Sequence, residues 1–479
     1  MPRLPSAAST DDPLSLLVAP PPDEDPVARE ARLRSEMEAR RISDQIDEEL
    51  AQERLAARRG PRPIKLLLLG QSESGKSTTL KNFQLMASPK AFRTERVIWR
   101  AVIQLNVVRS IHLILNTISD ARLLQKTTRS PSHTPSPSYG SRPTSPTVAD
   151  LTSEHARLQL SLSPLVRVEE ALVRKLQLSA GQPALDAGVA KEVALNSTSG
   201  WKGNFVGRVL ARRSGEGGDE DDGIDWDDPN DPGRVINACG EDMMRLWEDP
   251  VVRELLDRAG VRLREMSGFF LDDLDRVTSL RYVPTDDDIM RARIKTLGVS
   301  EHRFKLSSSS NVLSRDWVIF DVGGHRSLRA AWVPYFDDMN AIIFLAPISC
   351  FDQTLEEDEK VNRLEDSVLL WRSIVSNRLL TKTNMVLFLN KCDILKEKLG
   401  AGVPFAKYIT SYGKRPNTFD ATSSYLKRKF QATFVDHSPE PRPFFCHLTS
   451  VTDTKQMSHI LLDVSEFVLR ENLSRSALV

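Results

Sequence analysis

Residues 64–77 read IKLLLLGQSESGKS, an apolar run followed by a loop and the start of a predicted helix. The leucines are typical of a strand that is buried on both faces of a sheet. Residues 70–77 fit the pattern GxxxxGK(S/T) in the strand-to-helix setting that this phosphate-binding loop requires. We therefore predict that Lys76 contacts the β- and γ-phosphates and that Ser77 binds Mg²⁺. The other nucleotide contacts predicted in this loop are Gly70, Ser74, Gly75 and Thr78.

Four later apolar runs resemble this first strand, and helical patterns lie between them. Buried strands that alternate with helices predict an α/β fold with a doubly wound, mostly parallel sheet covered on both faces. The ligand site of such a sheet lies at the carboxyl ends of its strands. The runs are WVIFDVGG (317–324), AIIFLAPI (341–348), NMVLFLNK (384–391) and PFFCHLTS (443–450).

The segment 86–287 has helical patterns and almost no strand signals, which predicts an all-helical insert within the α/β domain. The Ser/Pro-rich part at 129–146 and the acidic part at 214–233 are predicted to be disordered. Residues 119–233 are therefore expected to be largely mobile and regulatory. The residues that precede a proline and suit proline-directed phosphorylation are Ser130, Thr134, Ser136 and Ser145. A calcium loop at Asp225, Asp227 and Asp228 is disfavoured, because the glycine and terminal glutamate of such a loop are missing.

Residues 27–59 are rich in arginine, glutamate and alanine and predict one long amphipathic helix after a disordered head. A narrow apolar stripe on so charged a helix requires either the body of the protein or a partner. The stripe consists of Leu33, Met37, Ile42, Ile46 and Leu50.

The composition excludes several classes of protein. A chain of 479 residues with zero net charge predicts two or three domains and no nucleic-acid partner. No continuous apolar run approaches the roughly 20 residues that cross a bilayer, so we expect a soluble or peripheral protein. The four cysteines are scattered without metal-ligand spacing and the start lacks signal-peptide features, which predicts a reducing, cytoplasmic location.

Two further motifs follow predicted strands. In FDVGG (320–324), Asp321 is placed to reach the Mg²⁺ and the Gly324 N–H to reach the γ-phosphate. In NKCD (390–393), the Asp393 carboxylate can accept two hydrogen bonds from guanine, whereas adenine presents the opposite pattern. The braces of this base pocket are Asn390 and Lys391. Three motifs in this order predict binding of GTP rather than ATP.

The chain resembles the α subunits of heterotrimeric G proteins over about 43–118 and 236–479. The residues that carry this likeness are IKLLLLGQSESGKSTTLKNFQL (64–85), FFLDDLDRV (269–277) and YVPTDDDIMRARIKTLG (282–298), besides the motifs. The resemblance implies a Ras-like GTPase domain at 61–85 and 288–479, with a helical domain at 86–287. Residues 1–60 then form the head and the N-terminal helix.

By the same resemblance, Arg293 looks like the family's built-in arginine finger and Thr296 like the Mg²⁺ ligand that senses the γ-phosphate. Glu73 is similar to the acid that faces this arginine across the nucleotide cleft. Val451 stands where the family offers a backbone N–H to the guanine oxygen. The mechanism implied is that GTP and Mg²⁺ pull Thr296 and Gly324 inward and order both switch segments, and that hydrolysis releases them.

The partners that the resemblance implies are a βγ dimer, bound by the N-terminal helix and the second switch, and a G protein-coupled receptor, which reads the tail ENLSRSALV. In the second switch, Ala330 and Ala331 stand where the family usually has lysines, so the affinity for a βγ dimer is expected to differ from that of the family. Pro2 excludes N-myristoylation, so we expect a peripheral position at the inner face of the plasma membrane through partners.

Two departures from the family affect hydrolysis. Ser72 stands where the phosphate loop normally has glycine, and His325 where the family has the glutamine that orients the attacking water. Three hypotheses stay open: a cycling GTPase with a slow intrinsic rate, a GTP-binding scaffold that barely hydrolyses, and an unrelated P-loop ATPase or kinase. Asp393 argues against the third.

Overall fold

The computed structural model describes residues 25–59, 63–128, 151–179, 194–195, 224, 226–296, 298–308, 311–355 and 357–475. The chain divides into two units, residues 1–62 and 63–479. The first contains helix α1, Pro26–Arg59, as the sequence predicts, and its Leu33, Met37, Ile42 and Ile46 side chains are exposed.

The second unit is built on a six-stranded sheet in the order β4-β5-β1-β6-β7-β8. Only β4 is antiparallel to its neighbour; the other pairings are parallel, so the predicted mostly parallel sheet is confirmed. The strands are β1 Ile64–Gly70, β4 Val299–Ser308, β5 Asn311–Val322, β6 Ala341–Pro347, β7 Asn384–Asn390 and β8 Phe444–Leu448, besides the short parallel pair β2 Ala194–Leu195 and β3 Lys295–Thr296.

Both faces of the sheet are covered, which explains the uninterrupted apolar run of β1. Leu67 and Leu69 join one buried cluster, and Leu66 and Leu68 join the other. Full burial of one leucine contributes about 1.5–3 kcal/mol, so each face fixes the register strongly. The covering helices are α2 Lys76–Ala87, α12 Arg363–Val375, α13 Cys392–Gly400, α14 Phe405–Tyr408, α15 Phe419–His437 and α16 Thr454–Arg475.

A separate apolar cluster, drawn from Phe92 to Ala292, belongs to the helical part. Its long central helix α4 spans Arg96–Thr128, and the domain boundaries at 86 and 287 remain sequence predictions. The other helices of this part are α3 Pro89–Thr94, α5 Ser153–Ser161, α6 Leu165–Ser179, α7 Pro232–Ala238, α8 Gly240–Glu248, α9 Pro250–Arg258, α10 Leu274–Val277 and α11 Asp286–Arg291.

Parts of this helical region differ from what the sequence predicts. The expected mobility of residues 119–233 does not hold for α5 and α6, which place Leu158, Leu162 and Leu172 in the cluster. Arg96–Leu123 is long and apolar enough to cross a membrane, although no continuous apolar run shows it; most of its apolar window is buried inside the protein. Ser130, Thr134, Ser136, Ser145 and Asp225 lie outside the described residues.

Candidate functional site

The phosphate loop joins β1 to α2 through unusual backbone angles. Gly70 and Gly75 have φ of 146° and 103°, a region that side chains disfavour. A Cβ at Gly75 would also lie 2.9 Å from Val451 Cγ2, and one at Gly70 would lie 2.6 Å from Ser74 Oγ. Glu73 is left-handed as well, with φ of 58°. The loop therefore depends on its two glycines for both conformation and space.

Lys76 lies beneath this loop. Its Nζ donates hydrogen bonds to the carbonyls of Gly70 (3.0 Å) and Gln71 (2.6 Å), and burial lowers the pKa of this lysine to about 8. Gly324 is held against the same place, since a Cβ there would lie 2.5 Å from Lys76 Nζ. The structure thus brings the predicted γ-phosphate contacts of the two motifs together.

The predicted Mg²⁺ residues can be tested by their chemistry. Ser77 Oγ donates to Asp321 Oδ2 at 2.7 Å, so a hydroxyl at the start of α2 meets a carboxylate at the end of β5. Hard oxygen donors beside a phosphate loop are the set that Mg²⁺ takes with nucleotides. These residues fit the ion. The Thr296 side chain lies outside the part that the structure describes, so its metal role stays a prediction.

Arg293 enters the site from the segment after α11. Its guanidinium forms an ion pair with Glu73, and its backbone N–H and carbonyl bond to Asn106 of α4 at 2.8 and 2.9 Å. Burial opposes ionisation of Glu73, but attraction by Arg293, Lys391 and Arg363 outweighs it and lowers its pKa. A charged acid therefore faces the arginine, and Asn106 fixes the arginine's main chain.

The base-recognition motif is tied directly to the phosphate loop. Asn390 Nδ2 donates to the Ser74 carbonyl at 2.7 Å, and Lys391 is left-handed with φ of 64°. The Val451 N–H, expected to face the guanine oxygen, donates to Asn390 Oδ1 at 3.2 Å. To bind a base as expected, this N–H has to share or leave that bond. Asp393, in the first turn of α13, also lines the cavity.

His325 has both ring nitrogens near other groups of the protein. It caps the 3₁₀ segment Arg326–Tyr335, and its Nδ1 lies 2.8 Å from Ser327 Oγ and accepts from the Ser327 N–H at 3.4 Å. Its Nε2 lies 3.3 Å from Glu357 Oε1. The residue expected to orient water is thus turned toward its own segment and a neighbouring loop.

A buried network connects the phosphate loop to this 3₁₀ segment. The Gln71 amide donates to Asp366 Oδ2 at 2.5 Å and to the Arg363 carbonyl at 2.9 Å. Asp366 also receives Arg329 at 2.7 Å. Burial opposes the charge on Asp366, but bonds from Arg329 and Gln71 lower its pKa. One hydrogen-bond network therefore connects the loop, helix α12 and the segment after His325.

Most of the predicted site residues surround one cavity of about 400 Å³ at the carboxyl ends of the strands. That volume lies within the range of small-ligand sites. Gly70 is buried at the end of β1. The predicted residues that line the cavity are Glu73, Ser74, Gly75, Lys76, Ser77, Thr78, Arg293, Asp321, Gly324, His325, Asn390, Lys391, Asp393 and Val451.

Three residues of this arrangement were missed by sequence reasoning: Asn106, Gln71 and Glu357. Gln71 occupies a variable position of the loop motif, and Asn106 is one polar residue in a long apolar helix. Only Gln71 carried a local signal, since a polar side chain next to a strand buried on both faces needs a hydrogen-bond partner.

Comparison with known proteins supports the same interpretation. The sequence profile described as G-protein alpha subunit matches residues 40–468, which includes the part of the insert that the resemblance did not cover. The chain is 32% identical to the guanine nucleotide-binding protein alpha-4 subunit of Mycosarcoma maydis, over 98% of this chain and 96% of that protein.

Two other fungal proteins are similar over nearly their whole length. A guanine nucleotide-binding protein subunit alpha of Coprinellus congregatus is 28% identical over 92% of this chain and 97% of its own. The guanine nucleotide-binding protein alpha-2 subunit of Neurospora crassa is 27% identical over 92% and 96%.

Proposed function

Because this chain belongs to the G-protein α-subunit family, whose members bind and hydrolyse GTP as switches in signal transduction, we propose that it hydrolyses GTP slowly. Its GTP-bound state is then long-lived. The observation that supports a slow rate is the position of His325, whose two ring nitrogens are engaged by Ser327 and Glu357. A residue that aims the attacking water needs a free acceptor or donor. Orientation of the attacking water by His325 is therefore hindered.

The remaining machinery of the site suits hydrolysis. Lys76 places a positive charge under the β- and γ-phosphates, and the Gly324 N–H follows the γ-phosphate. Ser77 and Asp321 would hold Mg²⁺, which supplies charge neutralisation at the phosphates when bound. Asn106 holds the main chain of Arg293 in place. The Arg293 guanidinium, which pairs with Glu73 in this structure, can then turn to the negative charge that develops on the transferred phosphoryl group.

Slow hydrolysis has a second cause in Ser72. Ser72 lines the cavity, and its side chain adds bulk where the family's glycine leaves room for Arg293 and the water-orienting residue to close. Both departures act on one transition state, so their effects are not expected to add.

Members of the family signal with βγ dimers and receptors. For this chain we propose that α1 supplies the βγ contact, on the ground that Leu33, Met37, Ile42 and Ile46 of its apolar stripe are exposed. Val333 is 48% exposed close to Ala330 and Ala331, so this part of the second switch offers an apolar surface. We propose a cytoplasmic protein that is peripheral at the inner face of the plasma membrane through these partners.

Single-turnover hydrolysis with GTP and with ATP tests the proposal. We expect tight GTP binding, slow release of phosphate and no measurable use of ATP. Equal affinity for the two nucleotides would reject guanine recognition, and a rate near the usual 10⁻² per second would reject slow turnover. GTP binding without any turnover would identify the scaffold instead.

A further inference from the structure

We propose that Glu357 is a positioning residue that restrains His325 and thereby holds back GTP hydrolysis. The inference rests on the proposed function, because it assigns a cause to the slow rate of the same site. Glu357 lies in the loop between β6 and α12, and its Oε1 lies 3.3 Å from His325 Nε2. The same oxygen accepts from the Arg326 N–H at 3.4 Å. The carboxylate thus contacts both the cap residue His325 and the first residue of the 3₁₀ segment, Arg326.

The protonation of the imidazole agrees with this restraint. A carboxylate only accepts hydrogen bonds, so the proton of a neutral His325 belongs on Nε2, facing Glu357. The other nitrogen, Nδ1, is then the acceptor that the Ser327 N–H requires. A protonated ring would pair still more strongly with Glu357 and could donate from Nδ1 to Ser327 Oγ, 2.8 Å away. Glu357 and Ser327 thus lie beside different nitrogens of the ring.

This geometry differs from a carboxylate that activates a histidine. Activation also uses a carboxylate on one ring nitrogen, but it leaves the second nitrogen facing the reacting group. Here the second nitrogen faces Ser327 of its own segment. His325 has to leave either Glu357 or Ser327 before it can orient water, and Glu357 is the contact that a substitution can remove without changing the segment itself.

The test compares single-turnover rates of the full-length protein loaded with GTP. Glu357→Ala is expected to hydrolyse about fivefold faster, the effect of losing one partly exposed charge contact. Glu357→Gln keeps an acceptor and should lie between the two. Glu359→Ala removes the same charge from an exposed position of the same loop and should match the native rate.

A second background separates restraint of His325 from a general effect on the loop. In His325→Gln, the change Glu357→Ala should alter the rate by less than about twofold, because the restrained ring is gone. Equal acceleration in both backgrounds would mean that Glu357 acts through the Arg326 backbone instead. Slower hydrolysis in Glu357→Ala would show that the carboxylate activates His325, and an unchanged rate would exclude any role.

Binding of a non-hydrolysable GTP analogue distinguishes a failure of the proposed role of Glu357 from a failure of the proposed function. The Glu357 and Glu359 variants should bind the analogue as the native protein does and show the same thermal unfolding midpoint. A native protein that fails to bind it would reject the proposed function, whereas intact binding with any of the contrary rates above would reject only the role of Glu357.

Discussion

At the scale of single residues, we expect Ser72 and His325, beside the predicted position of the γ-phosphate, to set the rate of GTP hydrolysis. We expect an intrinsic rate at least roughly tenfold below the usual 10⁻² per second. His325→Gln together with Ser72→Gly should restore most of the difference, because the glutamine aims the water and the glycine makes room. Phosphate release under single-turnover conditions measures this.

The arginine provides the control for that restoration. Arg293→Cys in the restored background should abolish turnover again, since no cation then neutralises the charge on the phosphoryl group. If the native protein already turns over at the usual rate, His325 is a competent replacement and the long-lived state does not exist.

Guanine selection also depends on one side chain. Asp393→Asn should shift binding from GTP toward xanthine nucleotides, whose ring carries a carbonyl where guanine has an amine. Competition between the two nucleotides for the native and variant proteins measures the shift. Asp420, in the first turn of α15, offers a matched aspartate-to-asparagine control. A variant that keeps its preference for GTP would remove NKCD from base recognition.

At the scale of one element, α11 is anchored by a buried carboxylate. Asp288 receives Arg276 at 2.7 and 2.8 Å, Tyr282 at 3.0 Å and the Thr285 N–H at 3.0 Å. Burial opposes its charge, but the bonds from Arg276, Thr285 and Tyr282 outweigh burial and hold its pKa well below the usual range. The helix leads directly to Arg293, so this anchor also locates the arginine.

This anchor predicts a pH dependence of stability. The unfolded chain binds the Asp288 proton first, so the free energy of unfolding should fall as the pH drops below about 4. Asp288→Asn should cost about 2 kcal/mol at pH 7, because Arg276 keeps part of its hydration, and should make the acid slope shallower. Urea unfolding between pH 3 and 7 measures both. The exposed Asp287→Asn should change neither.

At the scale of the whole molecule, we expect the buried helices of the insert to stabilise the fold and its Ser/Pro-rich segment to be dispensable for nucleotide binding. Leu172 is fully buried in the helical cluster, and Leu172→Ala should destabilise the protein by about 2–5 kcal/mol. Deletion of 130–149, which contains the Ser/Pro sites, should leave GTP affinity within a few-fold. Thermal unfolding and nucleotide titration measure the two effects. A collapse of binding after the deletion would show that this segment contributes to the cleft.

The sequence predicted the parts of the molecule whose chemistry is local. Leu66–Leu69 alternate between two buried faces, and each nucleotide motif follows its own strand, so order along the chain was enough. The hydrogen bonds of Gln71 with Asp366 and of Asn106 with Arg293 join residues 295 and 187 positions apart. Such partners depend on packing that no local pattern encodes. The same limit hid α5 and α6, because α5 packs against α8, and α6 packs against α4 and α7.

The cavity has walls from both parts of the second unit, and this bears on timing. Trp99 and Gly268 come from the helical part, whereas Val451 and Asn390 come from the strand ends. A larger residue would not fit at Gly268, since a Cβ there would lie 2.7 Å from Asn106 Oδ1 and 2.9 Å from Arg293 Cβ. A nucleotide between these walls would contact both parts, so we expect its release to require that they separate. Contacts such as Asn106 with Arg293 are then expected to lengthen the time for which spent GDP stays bound.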